Sequence, residues 1–154
     1  MTKIDPARPL VLTADEHVLL GELVEIINQI EDMMIDSLAP IDPAASMEVK
    51  SLPGLGPQAK RWADALSWRV GGQALASQIL SVGGELVQFA EDRNDFIHAL
   101  YSGVYCVGYV QPGYQATTAT RHRTGNERST AELEAIRNRA ATLSWSVDGI
   151  IKAI

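Results

Sequence analysis

The sequence predicts an all-α fold, an antiparallel four-helix bundle with a small β-hairpin inserted between the third and fourth helices. Apolar residues recur at spacings of three and four along four long segments, which is the pattern of amphipathic helices around one core. Between the third and fourth segments, residues 104–123 are rich in β-branched and aromatic residues on either side of Pro112-Gly113. Strand-forming residues around a Pro-Gly turn predict a hairpin.

The length of 154 residues fits a single domain, residues 1–154, with a core large enough to fold without covalent staples. Cys106 is the only cysteine, so an internal disulfide and a multi-cysteine metal site are excluded, and we assign it no role. No apolar run approaches the roughly 18 residues of a membrane span. The first residues show no secretory signal, which favours a cytoplasmic location.

The net charge of −6 argues against a general nucleic-acid binder, and nothing in the sequence points to DNA. The charge is uneven: residues 1–48 hold ten acids and two bases, whereas residues 49–154 hold nine acids and eleven bases. Such asymmetry can steer an anionic ligand to one face, although a solvated surface is the commoner explanation.

The first helix follows an extended lead-in and begins at a capping box, with Thr13 as N-cap and Glu16 three residues later. Pro40 ends it. Acidic and amide side chains occupy its outer faces. The inward positions are Leu19, Leu23, Ile26, Ile30, Met33, Met34 and Leu38.

A connection with four prolines follows, and we expect at most a short helix near residues 44–49. Pro57 suits the first turn of the second long helix, which Gly71-Gly72 closes. Its apolar stripe contains Trp62, Leu66 and Val70. We expect the three tryptophans to be core or dimer-interface residues: Trp62, Trp68 and Trp145.

The third helix, residues 73–102, carries the longest apolar stripe and two adjacent glycines. Gly83-Gly84 inside a helix costs about 1 kcal/mol per glycine relative to alanine, which predicts the close approach of a neighbouring helix. Arg93 falls in register with the stripe. The apolar members are Leu75, Ile79, Val82, Leu86, Phe89, Phe96, Leu100 and Val104.

The last helix is predicted to begin at a second capping box, Ser129 with Glu132, and to continue to the C-terminus. Its inward positions again recur at spacings of three and four. They are Leu133, Ile136, Ala140, Leu143, Val147, Ile150 and Ile151.

A polar cluster interrupts the third helix. Its members, spaced by three, four and three, are Glu91, Asn94, His98 and Tyr101. Arg93 beside them needs carboxylates, carbonyls or an anionic ligand, because a guanidinium has five donors and does not lose its charge. Asp92, Asp95 and the acids of the first helix are the candidate partners. Taken alone, these residues favour a structural role, in which Arg93 anchors a buried ion-pair network and His98 hydrogen-bonds across the bundle.

The run Arg93-Asn94-Asp95-Phe96-Ile97-His98 resembles the Arg-x4-6-His motif of HEPN domains, all-α bundles that include metal-independent ribonucleases. A polar residue after the arginine, most typically Asn, belongs to that pattern. Arg137-Asn138 is an internal contrast, since Thr142 stands where a histidine is needed.

The resemblance implies an endoribonuclease, a hydrolase without cofactor or metal, whose site is shared by two copies of the chain. His98 acts as general acid or base, and Arg93 holds the scissile phosphate. Asn94, with Asp95, supports them, and Tyr101 stacks on a base or donates its hydroxyl.

The resemblance also implies a homodimer, RNA as the substrate and an antitoxin-like protein as a possible partner. A basic segment at the end of the hairpin either guides the RNA backbone or is a solvated turn. Its members are Arg121, His122, Arg123 and Arg128. The alternative function is a non-catalytic dimeric module that binds a nucleotide or a protein.

Overall fold

The part of the chain that the structure describes is all-α, as predicted. The computed structural model describes residues 13–107 and 130–154, and for residues 98–107 it describes the course of the helix only. Five α-helices make up this part of the chain. They are α1 (Ala14–Leu38), α2 (Pro43–Ser51), α3 (Leu55–Arg69), α4 (Gln73–Val107) and α5 (Thr130–Ala153).

The predicted β-hairpin is wrong. α4 continues through Val107, so residues 104–107, predicted to lie in the first strand, are helical. The described residues contain no strand, and the rest of the predicted hairpin, residues 108–123, lies outside them. β-branched and aromatic residues cost a helix at most about 0.7 kcal/mol each, and extending a formed helix needs no new nucleus. Strand-like composition therefore did not stop α4.

Local capping explains where the first two helices begin. The predicted capping box is present at α1: Glu16 N donates to Thr13 Oγ1 over 3.2 Å, and Thr13 N donates to Glu16 Oε2 over 2.8 Å. Asp42 caps α2 by accepting from Ala45 N over 3.1 Å, with Pro43 in the first turn. α2 is thus the short helix expected near residues 44–49.

α2 runs antiparallel to α3. Its cap lies at the end of α3, where Arg69 Nη2 donates to Asp42 Oδ2 over 3.0 Å. About two turns further along α2, Arg61 Nε donates to Glu48 Oε2 over 2.6 Å, nearer the start of α3. Ser46 Oγ also donates to the α1 carbonyl of Ile35 over 2.9 Å, which fastens α2 to the helix before it.

α3 and α4 are antiparallel and approach closely through small residues. Gly56 faces Ala90 near one end of the pair, and Gly83 faces Ala63 nearer the other. A Cβ atom on Gly83 would overlap the Cβ of Ala63, so the glycine permits this helix spacing. The close approach predicted from Gly83-Gly84 is confirmed at the first of the two glycines.

α1 and α5 run in the same direction. Thr130 Oγ1 donates to Glu16 Oε1 over 2.7 Å where both helices begin, and Arg137 Nε lies 3.2 Å from Glu22 Oε2 two turns further on. Neighbouring first and last helices of an up-down-up-down bundle are antiparallel, so the predicted arrangement is wrong here. The cause is α2, because alternation through five helices makes α1, α3 and α5 co-directional.

The apolar stripes meet in one core. α1 packs on α2, α3 and α5, and α4 packs on α3 and α5, so α1 and α4 stand diagonally across the bundle. Trp62 is fully buried, and its Nε1 donates to Ser37 Oγ over 3.1 Å. Trp68 and Trp145 are 88% and 74% exposed, so neither is a core residue. None of the described helices has the length and apolar character needed to cross a membrane.

Candidate anion-binding site on the fourth helix

Arg93 lies on the inward face of α4, as its register predicted. Phe89, one turn before it, and Phe96, one turn after it, are each 1% exposed, and Arg93 itself is half-buried. The side chain therefore leaves the core stripe toward the bundle surface. A guanidinium between two buried aromatic residues is partly stripped of water, which strengthens its attraction for any nearby anion.

The guanidinium keeps unused hydrogen-bonding capacity. Arg93 Nε is buried and has no hydrogen-bond partner. Burial lowers the pKa of Arg93, and the Glu31 carboxylate opposes that effect. An arginine remains charged despite such a shift, so the site offers a fixed positive charge with a free donor. This chemistry suits a phosphate or another oxyanion.

Glu31 on α1 is the acid that acts on Arg93. It is half-buried, and burial raises its pKa, with Asp32 adding to the rise and Arg93 opposing it. Glu31 and Arg93 stand on helices that do not pack directly on each other, so each influences the pKa of the other at a distance. The sequence analysis named the acids of the first helix as candidate partners of Arg93 but did not single out Glu31, although one signal was present. It lies four residues after Ile27 and three before Met34, both of which are buried, at the edge of the α1 stripe.

Asp92, a predicted partner of Arg93, instead joins α4 to α5. Its Oδ2 accepts from Arg139 Nη1 over 2.6 Å, and its Oδ1 accepts from Gln88 Nε2 over 3.1 Å. The guanidinium carbon of Arg139 also lies 5.5 Å from the centroid of the Phe89 ring, a cation–π distance. These contacts fix the α4–α5 packing beside Arg93.

The remaining motif residues share one continuous helix with Arg93. Asn94 is exposed and Asp95 is half-buried. α4 extends through the positions of His98 and Tyr101, so the predicted spacing of one turn after Asn94 and a further turn to Tyr101 holds for the backbone. The side chains of His98 and Tyr101 lie outside the described residues.

The predicted basic segment also lies outside the described residues: Arg121, His122, Arg123 and Arg128. Of the predicted site residues, the structure describes the side chains of Arg93, Asn94 and Asp95, which share one helix, and the relation of Arg93 to the basic segment lies outside the described residues. Within residues 13–97 and 130–154, no group of three or more histidine, cysteine or acidic side chains could hold a metal ion.

Arg137 is the internal comparison for Arg93. Its Nε is also buried without a hydrogen bond of good geometry, yet it lies 3.2 Å from Glu22 Oε2. The distance is that of an ion pair, but the angle at the N–H group does not suit a hydrogen bond. Arg137 thus has a close carboxylate partner of its own.

No protein-family model, curated protein or solved structure matches this chain.

Proposed function

We propose that the chain is a HEPN-type, metal-independent endoribonuclease in which Arg93 and His98 of two copies form a shared site. The observation that carries the proposal is the guanidinium of Arg93, half-buried with an unpaired donor, on the helix that also carries His98. The Arg-Asn-x-x-x-His spacing supplies the second group that RNA cleavage needs. Neither group requires a metal.

The reaction is an attack of the RNA 2′-hydroxyl on the adjacent phosphorus. His98 of one copy removes the hydroxyl proton as the bond from O2′ to phosphorus forms. The bond from phosphorus to O5′ breaks, and His98 of the other copy gives that oxygen a proton. The products are a 2′,3′-cyclic phosphate and a 5′-hydroxyl. Histidine titrates near neutral pH, so both protonation states are accessible.

Arg93 neutralises the phosphate on which the negative charge increases. A partly desolvated guanidinium stabilises that charge more strongly than a fully solvated one, because the local dielectric is lower. Asn94 is exposed on the same turn, and its proposed role is to contact the phosphate or to orient His98. Tyr101, further along α4, is the candidate base-stacking residue, and the basic segment at residues 121–128 the candidate guide for the RNA backbone.

A cleavage assay tests the proposal. Wild type, Arg93→Ala and His98→Ala are incubated with single-stranded RNA in the presence of a chelator, and 2′,3′-cyclic ends are quantified. We expect each substitution to lower the rate by roughly 100- to 10,000-fold. Arg137→Ala is the matched control, since it removes an arginine that also precedes Asn but lacks the histidine. Equal cleavage by all four proteins would reject the proposal.

The second candidate function is a non-catalytic dimeric binding module. Trp68 and Trp145, 88% and 74% exposed, favour it, because large exposed aromatic side chains are typical of protein interfaces. A homodimer and an antitoxin-like protein are the partners we propose for these surfaces. Retained dimerisation with no Arg93-dependent cleavage would support the module over the nuclease.

A further inference from the structure

α3 is shorter than the two long helices that it packs on, and it begins partway along them. Trp62 of α3 bonds to Ser37 of α1, so the start of α3 lies level with about residue 30 of α1. On the other side, Gly56 in the first turn of α3 faces Ala90 of α4. α1 and α4 therefore both continue beyond the start of α3, each for about sixteen residues or roughly 24 Å.

Beside these extensions, one helix position of the bundle is open. α1 and α4 do not pack on each other, and no described helix continues in the position of α3. We call this opening the slot, and its walls are residues 14–29 of α1 and 92–107 of α4. It opens at the end of the bundle where α1 and α5 begin, and Arg93 lies at its inner end.

Apolar side chains lie on the slot side of both walls. Ile97 follows Ala90 by two turns, so it is half-buried on the same side of α4 but beyond the start of α3. Val24 precedes Ile35 by three turns, on the side of α1 where α2 packs further along. Ile35 packs against the core, whereas Val24 is 55% exposed. The slot thus leaves apolar surface of the kind that a neighbouring helix covers.

The end of α4 has the length and position to fill such a slot. Asp92 bonds to Arg139, so the start of α5 at Thr130 lies level with about residue 101 of α4. α4 therefore projects about six residues, roughly 9 Å, beyond the start of α5. A projecting helix and an open helix position at the same end of one chain are self-complementary, as a two-fold interface requires.

We propose that the slot of each chain receives residues 93–107 of α4 from a second copy, with the two α4 ends antiparallel about a two-fold axis near residue 100. Residue 98 of each copy then lies roughly 3 Å along α4 from the axis, so both Arg-x4-6-His motifs meet in one interface. The proposal deepens the proposed function and rests on it for the role of this interface in RNA cleavage.

The molar mass in solution tests the slot, measured by light scattering over a range of protein concentrations. We expect wild type at 33.4 kDa, twice the 16.7 kDa of one chain. Val24→Asp should raise the dissociation constant by at least roughly 100-fold, because the two-fold axis repeats the buried carboxylate. Val18→Asp is the matched control, since Val18 is 59% exposed on another face of α1. Trp68→Ala, near the end of α3 and far from the slot, should also leave the mass unchanged.

Cross-linking tests the antiparallel pairing of the two α4 ends. A two-fold axis near residue 100 puts residue 94 of one copy level with residue 106 of the other. Asn94→Cys, combined with the single native Cys106, should therefore give covalent dimers with a short bismaleimide. Ser77→Cys, also with Cys106, is the control, because Ser77 is exposed near the start of α4 and should give none.

Any of three results overturns the inference. They are a wild type of 16.7 kDa at every concentration, which would mean that the chain does not receive a second copy; an equal loss of dimer in Val18→Asp; and a dimer without the cross-link between positions 94 and 106. If Val24→Asp does not fold, the cross-link decides alone. The dimer and its cross-link without RNA cleavage would reject the nuclease alone. Arg93-dependent cleavage without the cross-link would reject this interface alone.

Discussion

At the scale of single residues, half-burial gives Arg93 and Glu31 properties that neither would have at the surface. Each is flanked along its helix by fully buried side chains, so each loses part of its hydration. Their mutual attraction offsets the loss only in part, since burial still dominates the pKa of both. Such a pair contributes little net stability.

The stability of Glu31→Gln relative to wild type should increase with pH. Burial raises the folded-state pKa of Glu31 above its ordinary value of 4.5. Protonated Glu31 therefore stabilises the fold at a pH below its unfolded-state pKa, and this contribution is lost as pH rises through its folded-state pKa. Glutamine has no such loss. Urea unfolding at intervals from pH 4 to pH 7 measures the difference, and Glu25→Gln, the same substitution at an exposed site on α1, is the comparison. A constant difference for Glu31→Gln would contradict the prediction.

The inward position of Arg93 was predictable from sequence, whereas the choice among its candidate acids was not. Phase along one helix depends on spacing alone, so Phe89 and Phe96 fix the direction of Arg93. The partner depends on how two helices are placed relative to each other. Asp92 is adjacent in sequence but bonds to α5, and Glu31 is 62 positions away. Local pattern carries no information on that choice.

At the scale of helices, α2 has an effect out of proportion to its nine residues. Sequence analysis placed it near the correct residues but gave it no part in the topology. Its Asp42 cap and its bonds to α1 and α3 make it a full antiparallel element. The prediction of four helices was based on the number of long amphipathic segments in the sequence. α2 is short and has only three buried residues, so it does not produce such a segment.

The two adjacent glycines of α4 should respond oppositely to alanine. Gly83→Ala places a Cβ on the Ala63 Cβ, which forces α3 and α4 apart and should cost about 1–3 kcal/mol of unfolding free energy. Gly84→Ala meets open space and should gain up to about 1 kcal/mol from helix propensity. Thermal and urea unfolding of both variants tests the pair. Stabilisation by Gly83→Ala would show that the helices separate easily.

In the molecule as a whole, a hydrogen bond between the starts of α1 and α5 connects the first and the last of the described helices. Glu16 accepts from Thr13 N within its own helix and from Thr130 Oγ1 on the other. The two residues of this second bond are separated by 114 positions in sequence. A single exposed carboxylate thus caps one helix and positions another.

Thr130→Val should lower stability by about 0.5 kcal/mol at pH 7, the low end for a hydrogen bond because the site is exposed. The Thr13 backbone N–H and then the Thr130 hydroxyl lower the pKa of Glu16 below its ordinary value of 4.5. The stability that ionised Glu16 contributes is present above pH 4.5 and is lost as pH falls through the lowered pKa. The cost should therefore shrink in acid, as measured by denaturant unfolding. Thr142→Val, whose hydroxyl bonds within its own helix, should show no such pH dependence.

The odd number of helices in the described part of the chain has a practical consequence for attaching other molecules to it. α1 and α5 begin at the end of the bundle that α4 reaches with its last turns, and α5 finishes at the other end, about 36 Å away. A fluorophore or affinity tag joined after Ile154 therefore stands far from residues 98–107. Circular permutants that join residue 154 to residue 13 would need a linker of roughly eleven extended residues or more to cover that distance.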